Sequence, residues 1–155
     1  MALPTLKFLA MIATIARLFS VAVLVAGCPQ FVWAAANKTG EQIYRAQCAR
    51  CHGGNFEGQL NWQTPLPNGR LPAPPHNASG HTWHHPDSYL FGVTKFGMTP
   101  YAPAGYESDM PAFKDILSDE EIADVLIFIK AHWAEDILEH QKQVTRESDG
   151  PPGGS

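Results

Sequence analysis

The chain of 155 residues is short of cysteine, short of charge and short of basic residues. Three cysteines are too few, and the wrong parity, for a simple disulfide scaffold. Eleven Lys and Arg against fifteen Asp and Glu leave a net charge of −4, which excludes the basic footprint of a nucleic-acid binder. Charged residues make up only 17% and hydrophobic ones 45%, so the composition is neither that of a disordered chain nor that of a multi-span membrane protein. The length suits one domain. Thirteen glycines and thirteen prolines are many for such a chain and predict long ordered loops.

Residues 1–34 read as a targeting segment rather than as part of the fold. Lys7 and Arg17 supply positive charge, Leu18 to Ala26 are apolar except Ser20, Gly27 and Pro29 break the run, and Ala34, Ala35 and Ala36 offer small residues for cleavage near 34 or 36. The apolar core is shorter than the ~20 residues of a membrane span. Val25-Ala26-Gly27-Cys28 resembles a bacterial lipobox, whose cleavage before Cys28 would tether the protein to a membrane. The ordinary site is preferred, because Phe31-Val32-Trp33 would make a greasy lipoprotein linker. The expected location is therefore the periplasm, with membrane attachment only if Cys28 is lipidated or the leader retained. Removing 34 residues from 155 leaves 121. With Lys7 and Arg17 gone, nine basic residues face fifteen acidic ones, a charge of −6.

Local signals beyond the leader are helical. Thr39-Gly40-Glu41-Gln42 fits a capping box, opening a helix through Ile43, Tyr44 and Ala46 into Cys48 that Gly53-Gly54 stop. A Pro-rich stretch from Asn55 to His85 keeps neither a 3.6 nor a 2.0 period, and so long a loop needs something other than secondary structure to pack on. Pro86 suits the first turn of a middle helix whose face is Tyr89, Leu90, Val93 and Phe96 and whose stop is Gly97. Ser118-Asp119-Glu120-Glu121 caps a final helix with Ile122, Val125, Leu126, Ile129 and Trp133 on one side. No convincing strand is present, so the class is all-α, with three or more short helices. The folded domain is expected over residues 37–140. The polar residues 141–155 are expected to be a disordered tail. Three short helices bury little apolar surface, and a large apolar cofactor would complete the core.

Cys48-Ala49-Arg50-Cys51-His52 supplies that cofactor's attachment site. In an exported protein the pattern C-x-x-C-H reads as covalent attachment of haem c: two thiols one helical turn apart reach the two vinyl groups, and the next residue offers an imidazole to iron. A thioredoxin-like pair would need a β-α-β pattern, a structural zinc site a second cysteine pair, and a disulfide across this gap would be strained. Met98 and Met110 are the candidate thioether ligands beyond the leader, and His76, His81, His84 and His85 are rivals. His81-Thr82-Trp83-His84-His85 admits two readings. It binds copper or supplies an alternative haem ligand; or, preferred, Trp83 covers a haem edge while the histidines cap the next helix or bond a propionate.

With Gly40 and Tyr44 before Cys48-Ala49-Arg50-Cys51-His52-Gly53, with Asp109-Met110-Pro111-Ala112-Phe113, and with Leu117 to Ile122 leading into Val125–Ile129, the protein resembles the small mono-haem class I cytochromes c over about residues 38–53 and 86–133. The resemblance implies the cytochrome c fold wrapped around one covalent haem. It implies thioethers from Cys48 and Cys51, His52 as proximal and Met110 as distal iron ligand, and N- and C-terminal helices that cross with Gly40 and Tyr44 near Phe128 and Ile129. The Pro-rich stretch from Asn61 to His85 is longer than in the smallest members, and nothing carries over to it. Geometry favours Met110 over Met98. Iron needs ligands on opposite faces, and Met110 follows the wrap of loop and middle helix, whereas Met98 leaves that helix within two residues of its stop. The expected function is single-electron transfer in a respiratory or dehydrogenase chain, with no catalysis of its own unless as an oxidoreductase subunit. Expected partners are a dehydrogenase or membrane complex as donor and an oxidase or reductase as acceptor, met through basic surfaces that suit the negative charge. The alternative is a haem enzyme or gas sensor with a labile sixth ligand; a copper-handling protein is a third class.

Overall fold

The structure, a computed structural model, describes residues 38–149. The leader, both of its cleavage sites, Cys28 and the last residues of the expected tail, 150–155, lie outside them. The described residues carry five α-helical segments, α1 (Gly40–Ile43), α2 (Ala49–His52), α3 (Asp87–Phe96), α4 (Asp119–Lys130) and α5 (Glu135–Asp149), and no strand. None of these helices is long and apolar enough to cross a membrane.

Segments α1 and α2 are joined by a π-helical turn, Tyr44–Cys48, so residues 40–52 form one helical run. The first turn is capped reciprocally: Thr39 Oγ1 accepts the Gln42 N–H at 3.3 Å and Gln42 Oε1 accepts the Thr39 N–H at 3.0 Å. At the end of the π turn the Ala49 N–H reaches back to Tyr44 O, one residue further than in an α-helix. Gly53, with φ of +83°, ends the run, since only glycine turns there without strain.

The first run crosses α4, and the core lies at this crossing. Ile43, Tyr44, Ile122, Val125 and Ile129 are buried there with Phe56, Phe113, Leu117 and Trp133. The crossing is close because Gly40 has only a hydrogen where other residues carry a Cβ: a Cβ would stand 2.2 Å from Asp124 O and 2.8 Å from Phe128 Cβ. Tyr44 meets Phe128 ring to ring at 5.8 Å. This is the crossing that the resemblance implies, with Gly40 and Tyr44 near Phe128, although α4 is followed by a further helix, α5. The α4 capping box also forms, Ser118 Oγ accepting from Glu121 N–H at 3.2 Å and Glu121 Oε2 from Ser118 N–H at 3.0 Å.

Three expectations are corrected. Trp133 is buried but not on α4, which stops at Lys130; the ring hangs from the following turn. Phe96 is 48% exposed rather than on the buried face of α3, where Leu90, Gly92 and Thr94 go inward. The polar tail expected to be disordered from Gln141 is helical to Asp149. Its anchor is polar: Gln141 is fully buried, with Nε2 at 2.6 Å from Asp87 Oδ1, 3.0 Å from Thr145 Oγ1 and 3.2 Å from His85 O. Ile137 and Leu138 pack on the core beside it. Low mean hydropathy hides this helix because its buried stripe is narrow and uses an amide.

Candidate functional site

The helical run 40–52 delivers the chemistry at its last turn. Cys48 and Cys51 are three residues apart, hence on the same side of the helix, and both thiols are free and half-buried. Burial, with Cys51 nearby as the lesser cause, pushes the Cys48 thiol up to about 11. Tyr44 holds the end of the run: its hydroxyl donates to Gly53 O at 2.9 Å. Burial raises the Tyr44 hydroxyl far above its ordinary range, so it stays a donor.

His52 is buried, and burial lowers its pKa below the ordinary 6.5. Its Nδ1 lies 2.8 Å from Pro74 O. A carbonyl can only accept, so the proton sits on Nδ1 and the Nε2 lone pair is left for a metal. The backbone around it is tightly tied. Gly58 N–H donates to His52 O at 2.8 Å and His76 N–H to Phe56 O at 2.9 Å. Gly58 approaches so closely that a Cβ would meet Pro75 N at 2.4 Å. Phe56 is held at a φ of +64°, a cost the surrounding packing must offset. The His76 ring stacks on the His52 ring, centroids 3.9 Å apart and planes within 16°. Trp133 Nε1 donates to His76 O at 2.7 Å. His76 is therefore a neighbour of His52 rather than its rival from the other side.

The two methionines are placed differently. Met110 is half-buried and packs against the core cluster, as do Cys48 and Trp83. Its segment is held to the end of α3, since Phe113 N–H donates to Thr94 O at 3.2 Å and Lys114 N–H to Lys95 O at 3.0 Å. Met98 is also half-buried, but it begins the 3₁₀ turn Thr99–Tyr101 and is not among the residues packed on that cluster.

The histidine cluster is spent on aromatic neighbours. His81 stacks on Trp62 at 5.1 Å, His85 on Tyr89 at 4.3 Å and His84 on Trp83 at 3.6 Å. Among the described residues no group of three or more His, Cys, Asp or Glu is arranged to hold a metal ion, so the copper reading finds no ligand set. Nor do these side chains cap α3; the first N–H of that helix, on Asp87, is taken by Thr145 Oγ1 of α5 at 3.1 Å. Trp83 Nε1 is buried with no partner.

A covalently held haem fits this donor set. Two free thiols stand at helical-turn spacing, a neutral imidazole has its coordinating nitrogen free, and a thioether lies on the same core. The orphaned Trp83 N–H, costly if left unmade, suits an acceptor such as a carboxylate. Sequence reasoning missed Pro74, whose role rests on a backbone oxygen that no side-chain pattern reveals.

Residues 35–129 match the family model described as Cytochrome C oxidase, cbb3-type, subunit III. No curated protein and no solved structure matches the chain.

Proposed function

Since the chain belongs to this family of c-type cytochrome domains, with covalently bound haem c and a role as electron carrier, we propose that it holds one haem on Cys48 and Cys51. In this reading His52 is the proximal iron ligand and Met110 the distal one. The observation that carries the reading is the 2.8 Å contact between His52 Nδ1 and Pro74 O, immediately beside the two free thiols. When bound, haem supplies a one-electron couple, its iron alternating between ferric and ferrous.

The protein's own residues do the rest. Pro74 O fixes the His52 tautomer and ring plane, and raises the basicity of the coordinating nitrogen. The sulfur of Met110 favours ferrous iron and so raises the potential. With His52 and Met110 both holding the iron, no site would be left for a substrate, which suits a carrier. The unpartnered Trp83 Nε1 would donate to a haem propionate. Ile43, Phe113, Leu117 and Trp133 keep water from the core on which the site rests.

We further read the protein as periplasmic, exported by its leader, and exchanging single electrons between a dehydrogenase or membrane complex and an oxidase or reductase. The charge of −6 beyond the leader favours basic docking surfaces, and the association rate with such a partner should fall as salt rises. Mass spectrometry of the native N-terminus reads the location: a start at residue 35 or 37 marks a free carrier, a lipidated Cys28 a tethered one.

The ligand assignment is tested by spectroscopy of the haem-loaded protein. Wild type should show the weak red-edge charge-transfer band of thioether-ligated ferric haem, and its ferrous form should not bind carbon monoxide. Met110→Ala should lose the band, lower the potential and bind carbon monoxide. Met98→Ala should keep wild-type behaviour. A band lost in Met98→Ala and kept in Met110→Ala reverses the assignment. Wild type that lacks the band and binds carbon monoxide is a ligand-binding haem protein instead.

A further inference from the structure

The Pro-rich stretch is the part of the protein for which neither its composition nor the resemblance supplies a role. Its middle, residues 59–73, is a closed loop. The neck is pinned twice, by Gln59 N–H donating to Ala73 O at 2.9 Å and Ala73 N–H donating to Gln59 Oε1 at 2.7 Å. The tip is a tight turn. Leu66 N–H donates to Arg70 O at 2.9 Å and Gly69 N–H to Leu66 O at 2.8 Å; Gly69 takes the positive φ of +82° that this turn requires. Arg70 N–H donates to Asn68 Oδ1 at 3.1 Å. The backbone of Arg70 is thus held in place by its own turn.

From that position the guanidinium reaches across to residues 107–109. Nε and Nη2 both donate to Glu107 Oε2, at 3.2 and 2.8 Å, and Nη1 pairs with Asp109. Asp109 immediately precedes Met110, and the Met110 N–H donates to Ser108 Oγ at 3.1 Å within the same segment. The residue after the neck is Pro74, whose carbonyl holds His52. One loop therefore touches both ligand-bearing segments, the His52 side at its base and the Met110 side at its tip.

From this geometry we infer that Arg70 is a positioning residue for Met110, and that the Pro-rich loop is a strap coupling the two axial ligands. The inference rests on the reading of Met110 as distal ligand. An arginine fork on two carboxylates is directional, which a single lysine point charge is not. It restrains residues 107–109 just before Met110, while Phe113 and Lys114 just after it are tied to α3. Prolines 65, 67, 72 and 74 stiffen the strap, so little order is lost in holding the fork. Without the fork, the methionine sulfur should leave the iron more often.

The test uses the full haem-loaded protein at low ionic strength. Arg70→Gln should weaken the red-edge band and raise the rate of carbon monoxide binding to the ferrous form by roughly two- to fivefold, the scale of an exposed charged pair. Arg70→Lys should recover part of that change. Glu107→Gln combined with Asp109→Asn removes the same contact from the other side; it should give the same rise, with no further rise when combined with Arg70→Gln. Arg45→Gln, which breaks a surface pair with Glu41 on the first helical run through a more exposed arginine, should leave band and rate unchanged. A wild-type band with Arg70→Gln and the double carboxylate variant both behaving like Arg45→Gln overturns the inference and leaves the ligand assignment standing. A wild type with no band overturns the ligand assignment, and the inference with it.

Discussion

Replacing Gly40 by alanine decides how strictly the helix crossing controls the site. The substitution has a favourable part: alanine is better than glycine in a helix interior by about 1 kcal/mol, the upper bound for Gly40 at the first helical position. It also has a steric part. The new Cβ would lie 2.2 Å from Asp124 O, 2.8 Å from Asp124 C and 2.8 Å from Phe128 Cβ. Two of these three atoms are backbone and the third is the first atom of a side chain, so no rotamer change relieves the clash. The helices must part by about 1 Å to restore ordinary contact, which loosens Ile43 and Val125, both essentially fully buried at the crossing. Overpacking of this kind costs up to about 3 kcal/mol. The balance is a loss of about 2 kcal/mol, or a fall in Tm of roughly 8 °C for a domain of this size. Guanidinium unfolding of the haem-loaded protein, followed by tryptophan fluorescence, measures it. Gly54→Ala, with no heavy atom within 4 Å of its Cβ, is the reference and should stay within about 0.5 kcal/mol of wild type. A Gly40→Ala protein as stable as wild type would mean that the crossing is not as close as described, since the helix-propensity gain alone cannot offset such a clash.

Gln141→Ala should destabilise by about 2–3 kcal/mol in the same assay, since it removes the three polar contacts of a fully buried amide and leaves the His85 carbonyl and a void behind; a change under 0.5 kcal/mol would mean that α5 does not dock. Stability should fall as pH drops below about 6.5, because burial first, and then neighbouring histidines, hold His81 and His85 below that ordinary value, so that the unfolded chain binds more protons there. The variant carrying both His81→Gln and His85→Gln should show a shallower fall of Tm between about pH 7.5 and 5; equal slopes would remove these two residues from the acid response.

How much was legible in advance differs by the range of the interaction. Features that rest on near neighbours could be read directly from the order of residues. Both capping boxes, at Thr39–Gln42 and Ser118–Glu121, formed as the spacing predicts, because a cap closes within one turn. The C-x-x-C-H spacing places both thiols on one side of a helix, again a local consequence. The glycine stops at Gly53 and Gly97 are local too, each with a positive φ. Contacts between distant residues emerged only with the folded arrangement. Pro74 meets His52 through a carbonyl, a group every residue carries, so composition does not mark it. Arg70 reaches Glu107 and Asp109 across 37 and 39 residues of sequence, and one surface arginine reads like any other until the fold brings its partners near. Trp133 leaves α4 yet stays buried because its indole N–H finds His76 O, and α5 folds because a single buried amide finds Asp87, Thr145 and the His85 carbonyl. Hydrophobic periodicity reports which face is apolar; it does not report a polar anchor, whose value depends wholly on partners supplied by another segment.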